Sequence, residues 1–69
     1  MTYTINRGQI ETITFENDVN VYVDKNDIFF QPQDDQDGWG RVTNGWFAFK
    51  AGTYRFKADS TTKIVAFKR

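Results

Sequence analysis

The 69-residue chain has no cysteine and no histidine, and only one proline and one serine. Without cysteine there is no disulfide to staple a small fold and no thiolate to hold a metal. Without histidine the commonest general base and the commonest transition-metal ligand are both missing. The single serine, Ser60, therefore has no imidazole to activate it, and it falls in a turn. A paired-carboxylate mechanism would need a deep, water-excluding pocket as well as a core, and a chain this short has little room for both. The expectation is a protein that is not an enzyme and carries no cofactor. No apolar run is long enough to span a bilayer, and the opening from Met1 is polar and strand-like, so neither a membrane span nor a classical export signal is expected.

Aromatic residues are what the chain has in quantity: seven Phe, three Tyr and two Trp. Each buries about 150–250 Å², so a few of them fill a small core. The charges cancel overall but are unevenly placed. Residues 1–40 hold Arg7 and Lys25 against eight carboxylates, a balance of −6, while residues 41–69 hold seven basic side chains against Asp59, a balance of +6. Either acidic strands pair with basic ones across the sheets, or the molecule has two poles.

Alternation of apolar and polar residues predicts strands throughout. Tyr3 and Ile5 share a face, as do Ile13 and Phe15, and Val19, Val21 and Val23 alternate with Asn20, Tyr22 and Asp24. Turn chemistry follows at Glu16-Asn17-Asp18 and Lys25-Asn26-Asp27, and Ile28-Phe29-Phe30 is a short apolar strand stopped by Pro32. Residues 33–40 form the one long loop. Asn44-Gly45 reads as a type I′ hairpin turn between Arg41-Val42-Thr43 and the strand from Trp46. Tyr54, Phe56 and Ala58 point inward; Thr53, Arg55 and Lys57 point outward. With no helical period, the chain reads as one all-β domain over residues 1–69. The fold class is a small antiparallel β-sandwich or barrel, jelly-roll-like, of about seven or eight short strands.

Three groups of residues carry functional expectations. Asp34, Asp35 and Asp37 crowd carboxylates into one loop, and such oxygens suit Ca²⁺; an EF-hand alignment fails, because Gln33 falls first and Asn44 last, which leaves an irregular calcium site or a solvated loop tip. Tyr22, Trp39 and Trp46 are candidate platforms for a glycan or another flat ligand, with Trp39 the more exposed indole and Trp46 nearer the core or an interface. Lys50, Arg55 and Lys57 lie near aromatics, the combination used by single-strand nucleic-acid binders. The zero net charge and the absence of an aromatic ribonucleoprotein-type motif count against nucleic acid as a partner.

The strands at residues 46–50 and 63–68 are apolar on both sides. Phe47, Phe49, Val65 and Phe67 are the residues expected to meet another copy of the chain. The stretch Ala51-Gly52-Thr53-Tyr54-Arg55-Phe56-Lys57-Ala58, followed by Lys63-Ile64-Val65-Ala66-Phe67-Lys68, resembles the closing strands of jelly-roll-like β-sandwich modules. These include small bacteriophage virion proteins, of the capsid-decoration or tail-associated kind, and carbohydrate-binding modules. The virion type is the better fit to a short cysteine-free chain opening at its own Met. That resemblance implies a non-enzymatic homo-oligomer on a particle surface, in contact with other virion proteins. The expected location is a virion if the chain is phage-derived, and otherwise the cytoplasm as a soluble protein.

Overall fold

The computed structural model describes residues 1–24, 27–35 and 37–69; the turn expected at Lys25-Asn26-Asp27 lies largely outside the described residues. Eight strands are present: β1 (Thr2–Ile5), β2 (Glu11–Phe15), β3 (Val19–Val23), β4 (Ile28–Pro32), β5 (Gly40–Val42), β6 (Gly45–Phe49), β7 (Gly52–Ala58) and β8 (Thr62–Lys68). They form two four-stranded antiparallel sheets, ordered β1-β8-β3-β6 (sheet A) and β2-β7-β4-β5 (sheet B). Among the described residues there is no helix, and so none long and apolar enough to cross a membrane.

The pairings nest. β1 lies against β8, β2 against β7, β3 against β6 and β4 against β5, as in one long hairpin. Rolling that hairpin up brings β8 onto β3 and β7 onto β4. This connectivity is that of an eight-stranded, two-sheet jelly roll. It means that, among the described residues, β4 and β5 are the only consecutive strands that pair with each other. The expected Asn44-Gly45 hairpin is therefore corrected: β5 and β6 belong to different sheets, and these residues cross between them. Gly45 has φ of 132°, but no non-glycine residue described has positive φ, so the type I′ geometry is absent.

Nesting also interleaves the two halves of the chain. In both sheets, strands from the acidic first half alternate with strands from the basic second half. Of the eight carboxylates in residues 1–40 only Glu11 stands on a strand, and the others lie in the loops, where Asp27 Oδ2 accepts from Arg41 Nε at 2.8 Å.

The core lies between the sheets and takes alternate residues from each strand, among them Ile5, Ile13, Phe15, Val21, Val23, Ile28, Phe49, Phe56 and Ile64. Its centre is aromatic. Phe49 packs against Phe15 (5.9 Å between ring centroids), Phe30 (5.0 Å), Tyr54 (5.1 Å) and Phe56 (5.7 Å). Tyr54 donates its hydroxyl to the Lys50 carbonyl at 2.7 Å; burial, aided by the charge of Asp18, raises its pKa above the usual 10.0. The whole chain exposes 4503 Å². A monomer of this mass ordinarily exposes about 4,500 Å², so the fold closes to normal compactness by itself.

One close approach sets a strict size limit. A Cβ on Gly40 would stand 2.6 Å from Cε1 and Cζ of Phe30, whose ring is wedged against Phe47 and Phe49. Gly40→Ala is expected to cost about 1–3 kcal/mol through overpacking. Gly38→Ala, with nothing within 4 Å of its added methyl, should stay within about 0.5 kcal/mol of the parent. Denaturant midpoints of the two variants check this.

Candidate functional site

The two outer faces of the sandwich differ in chemistry, and strand alternation explains how. On β6, Phe49 is drawn inward by its ring partners, so Trp46 and Ala48 must point out. On β3 the buried valines leave Asn20 and Tyr22 outside, and on β8 buried Ile64 and Ala66 leave Val65 and Phe67 outside. The register lines these up: Val65, Tyr22 and Trp46 form one row across β8, β3 and β6, and Phe67, Asn20 and Ala48 the next. Trp46 lies 5.1 Å from Tyr22 and 5.5 Å from Phe67, ring centroid to ring centroid. Trp46 is 62% exposed and Phe67 50%. The outer face of sheet A thus carries a continuous ladder of three rings, bordered by Val65 and Ala48. None of the six side chains in the two rows is charged.

The outer face of sheet B carries basic side chains, and each has a local partner. Arg55 grips Gln31, with Nε 3.0 Å and Nη2 2.5 Å from Oε1, while the Gln31 amide donates to the Gly38 carbonyl at 3.0 Å. Arg55 Nη2 also reaches the Asp35 carbonyl at 3.3 Å, which ties the β4–β5 loop to β7. Arg41 is paired with Asp27, and Lys57 Nζ sits 4.2 Å from the centre of the Trp39 ring. Of the three cations expected to meet nucleic acid, Arg55 and Lys57 are thus engaged within the fold, and Lys50 is exposed.

The expected site residues are distributed as follows. Phe49, only 3% exposed, belongs to the core and is withdrawn from any contact surface. Phe47, 37% exposed, closes the sandwich edge against Phe30 and Phe49. Val65 and Phe67 lie on the outer face of sheet A, so the four residues expected at an interface do not share one surface. Tyr22 and Trp46 stand side by side, whereas Trp39 lies on the other sheet, half-buried under Lys57. The relative exposure of the two indoles is the reverse of expectation. Asp35 Oδ1 accepts the Asp37 N–H at 2.9 Å, and among the described residues no three carboxylates converge as metal ligands.

Two open surface depressions accompany these faces. One, of about 540 Å³, lies between edge strands β1 and β2 and holds a single carboxylate, Glu16; the other, about 590 Å³, lies beside Arg7 and Lys57 and holds only Asp59. Neither brings two carboxylates together for acid–base work. Ser60 is exposed in the β7–β8 turn. Compared with protein-family models, with curated proteins and with solved structures, the chain matches none.

Residue Arg55 is the part of this surface that charge counting misses. Gln31 is 5% exposed, and Arg55→Ala would leave its Oε1 buried without its donors. The expected loss is about 1–3 kcal/mol, against about 0.5 kcal/mol or less for an ordinary surface substitution. Thermal unfolding of Arg55→Ala beside Lys63→Ala measures the difference.

Proposed function

We propose that this protein is a non-enzymatic interaction module that associates with copies of itself through the outer face of sheet A. The observation that carries the reading is the solvent-exposed ladder Tyr22–Trp46–Phe67. Because the total surface is of normal size, the exposed rings are not left over from an incomplete fold. They are concentrated in one uncharged patch spanning three strands, and contiguous apolar patches of this kind mark contact sites. A domain under about 70–80 residues rarely draws more than about 3–5 kcal/mol from its own core, so burial between copies adds stability it otherwise lacks. A neutral patch gives a charged partner no attraction, whereas the same patch on a second copy is apolar where this one is apolar. The resemblance of the closing strands to small bacteriophage virion proteins supplies the setting we attach to this reading: a capsid-decoration or tail-associated component, where many copies sit side by side.

Light scattering after size exclusion tests the reading. Particles should contain at least two 8.1 kDa chains. Phe67→Ser should shift the population toward single chains at unchanged helix-free circular dichroism. A lone 8.1 kDa species across the concentration range would reject self-association.

The adjacency of Tyr22 and Trp46 favours one alternative, a flat platform for a sugar ring. Tryptophan emission followed during titration with a panel of oligosaccharides distinguishes it. A saturable shift that is lost in Trp46→Ala supports glycan binding, and an unchanged spectrum with every sugar removes it.

A further inference from the structure

A jelly roll rolled from one hairpin has four edge strands, here β1 and β6 in sheet A and β2 and β5 in sheet B. Exposed edges invite pairing with other chains, and folds blunt them with short length, charge, proline or inward-facing charged residues. Three of these four edges are blunted. β1 is four residues long, β5 is three residues long and carries Arg41, and β2 sets Glu11 on the same side as the buried Ile13 and Phe15. β6 is different. Its five residues, Gly-Trp-Phe-Ala-Phe, include no charge and no proline, and among the described residues no strand pairs with its outer side. At its end the Phe49 carbonyl accepts Arg69 Nη2 at 3.1 Å, which anchors the strand to the C-terminus and leaves its middle open.

From this we infer that β6 is a strand-addition edge, and that its occupant is the β6 of a second copy, antiparallel, with the two-fold axis beside Phe47. The inference rests on the self-association reading and adds an edge contact to the face contact, since pairing at β6 leaves the ladder free to meet further copies. The sequence of β6 is complementary to itself about Phe47. Antiparallel pairing in that register sets Trp46 opposite Ala48 of the second copy and Phe49 opposite Gly45. Each large side chain faces a small one, and no like charges oppose. Alternate residues of an edge strand aim their N–H and C=O groups away from the sheet, so the pairing satisfies backbone groups as well as side chains. Such a contact is isologous and closes at two copies. It merges the two A sheets into one of eight strands, and the two aromatic ladders into one continuous outer floor.

The chain's lack of cysteine makes the register directly testable. In Phe47→Cys the two introduced side chains would face each other across the axis, with Cβ atoms about 4.5–5.5 Å apart. That is within reach of the roughly 3.5–4.5 Å of a disulfide after a small adjustment. Mild oxidation is expected to give a covalent dimer at least several-fold faster than in Phe67→Cys, whose residue lies two strands inward. Should Phe47→Cys fail to fold, a mixture of Trp46→Cys and Ala48→Cys replaces it, with a covalent heterodimer expected in the mixture and in neither variant alone. Multi-chain particles that cross-link through Phe67→Cys but not at β6 would overturn the edge contact while leaving self-association in place. A wild-type protein that scatters light as a single chain would remove both.

Discussion

The structure depends on rings from opposite sheets meeting at its centre. Phe49 reaches in from β6 of sheet A to touch Phe15, Tyr54 and Phe56, which stand on β2 and β7 of sheet B. Tyr3 from β1 adds an edge contact to Phe15. With no cysteine to form a disulfide, this cluster is what holds two small sheets face to face, and aromatic pairs contribute about 0.5–1.5 kcal/mol each beyond the area they bury. The same interaction fixes the outside. Side chains alternate along a strand, so Phe49 inside requires Trp46 and Ala48 outside; a slip of one residue would exchange the two sets. The exposed ladder on sheet A is thus a consequence of the core.

Local patterns in the chain were enough to locate the strands and most of their inward faces. Val19, Val21 and Val23 on β3 and Tyr54, Phe56 and Ala58 on β7 lie as alternation predicts, whereas β8, apolar on both sides, turned Ile64 and Ala66 inward only in the fold. Pro32 ends β4 as expected. Partner choice was not legible, because it is set by pairings as distant as Thr2 with Val65. Asn44-Gly45 carries a strong local turn signal, yet the non-local pairing of β6 with β3 overrides it and sends the chain to the other sheet. β6 itself was ambiguous for a clear reason. Trp46 and Ala48 on one side and Phe47 and Phe49 on the other are equally apolar, so nothing within the strand says which side faces in. Only the rings waiting at Phe15 and Phe56 decide it.

The charged residues show the same dependence on topology. A chain divided into an acidic first half and a basic second half could have folded into a dipolar molecule. Nesting interleaves the halves strand by strand, while the carboxylates, Glu11 apart, lie in the loops between the strands. On sheet B the result is a face whose cations are engaged: Arg55 by Gln31 and the loop carbonyls, Arg41 by Asp27, Lys57 by the Trp39 ring. The β4–β5 loop, although rich in carboxylates, spends Asp35 on its own backbone. The exposed aromatic ladder, by contrast, lies on sheet A.

Core and proposed contact edge meet on a single strand. β6 carries Phe49, the ring around which the interior packs, and it also carries Trp46 and the undefended edge. An edge strand is held by pairing on one side only, so it is among the weaker-held parts of a sheet, yet here it bears the side chain on which the interior most depends. Any contact that covers its free side tightens the strand that holds Phe49 in place. Association by the folded form, which the unfolded chain cannot match, then raises apparent stability by mass action. On the proposed association, an edge left uncharged while the other three are blunted is one that pairing would reinforce. A lysine placed there would guard against pairing and, on the same proposal, would forgo the support that a second copy would give to the core.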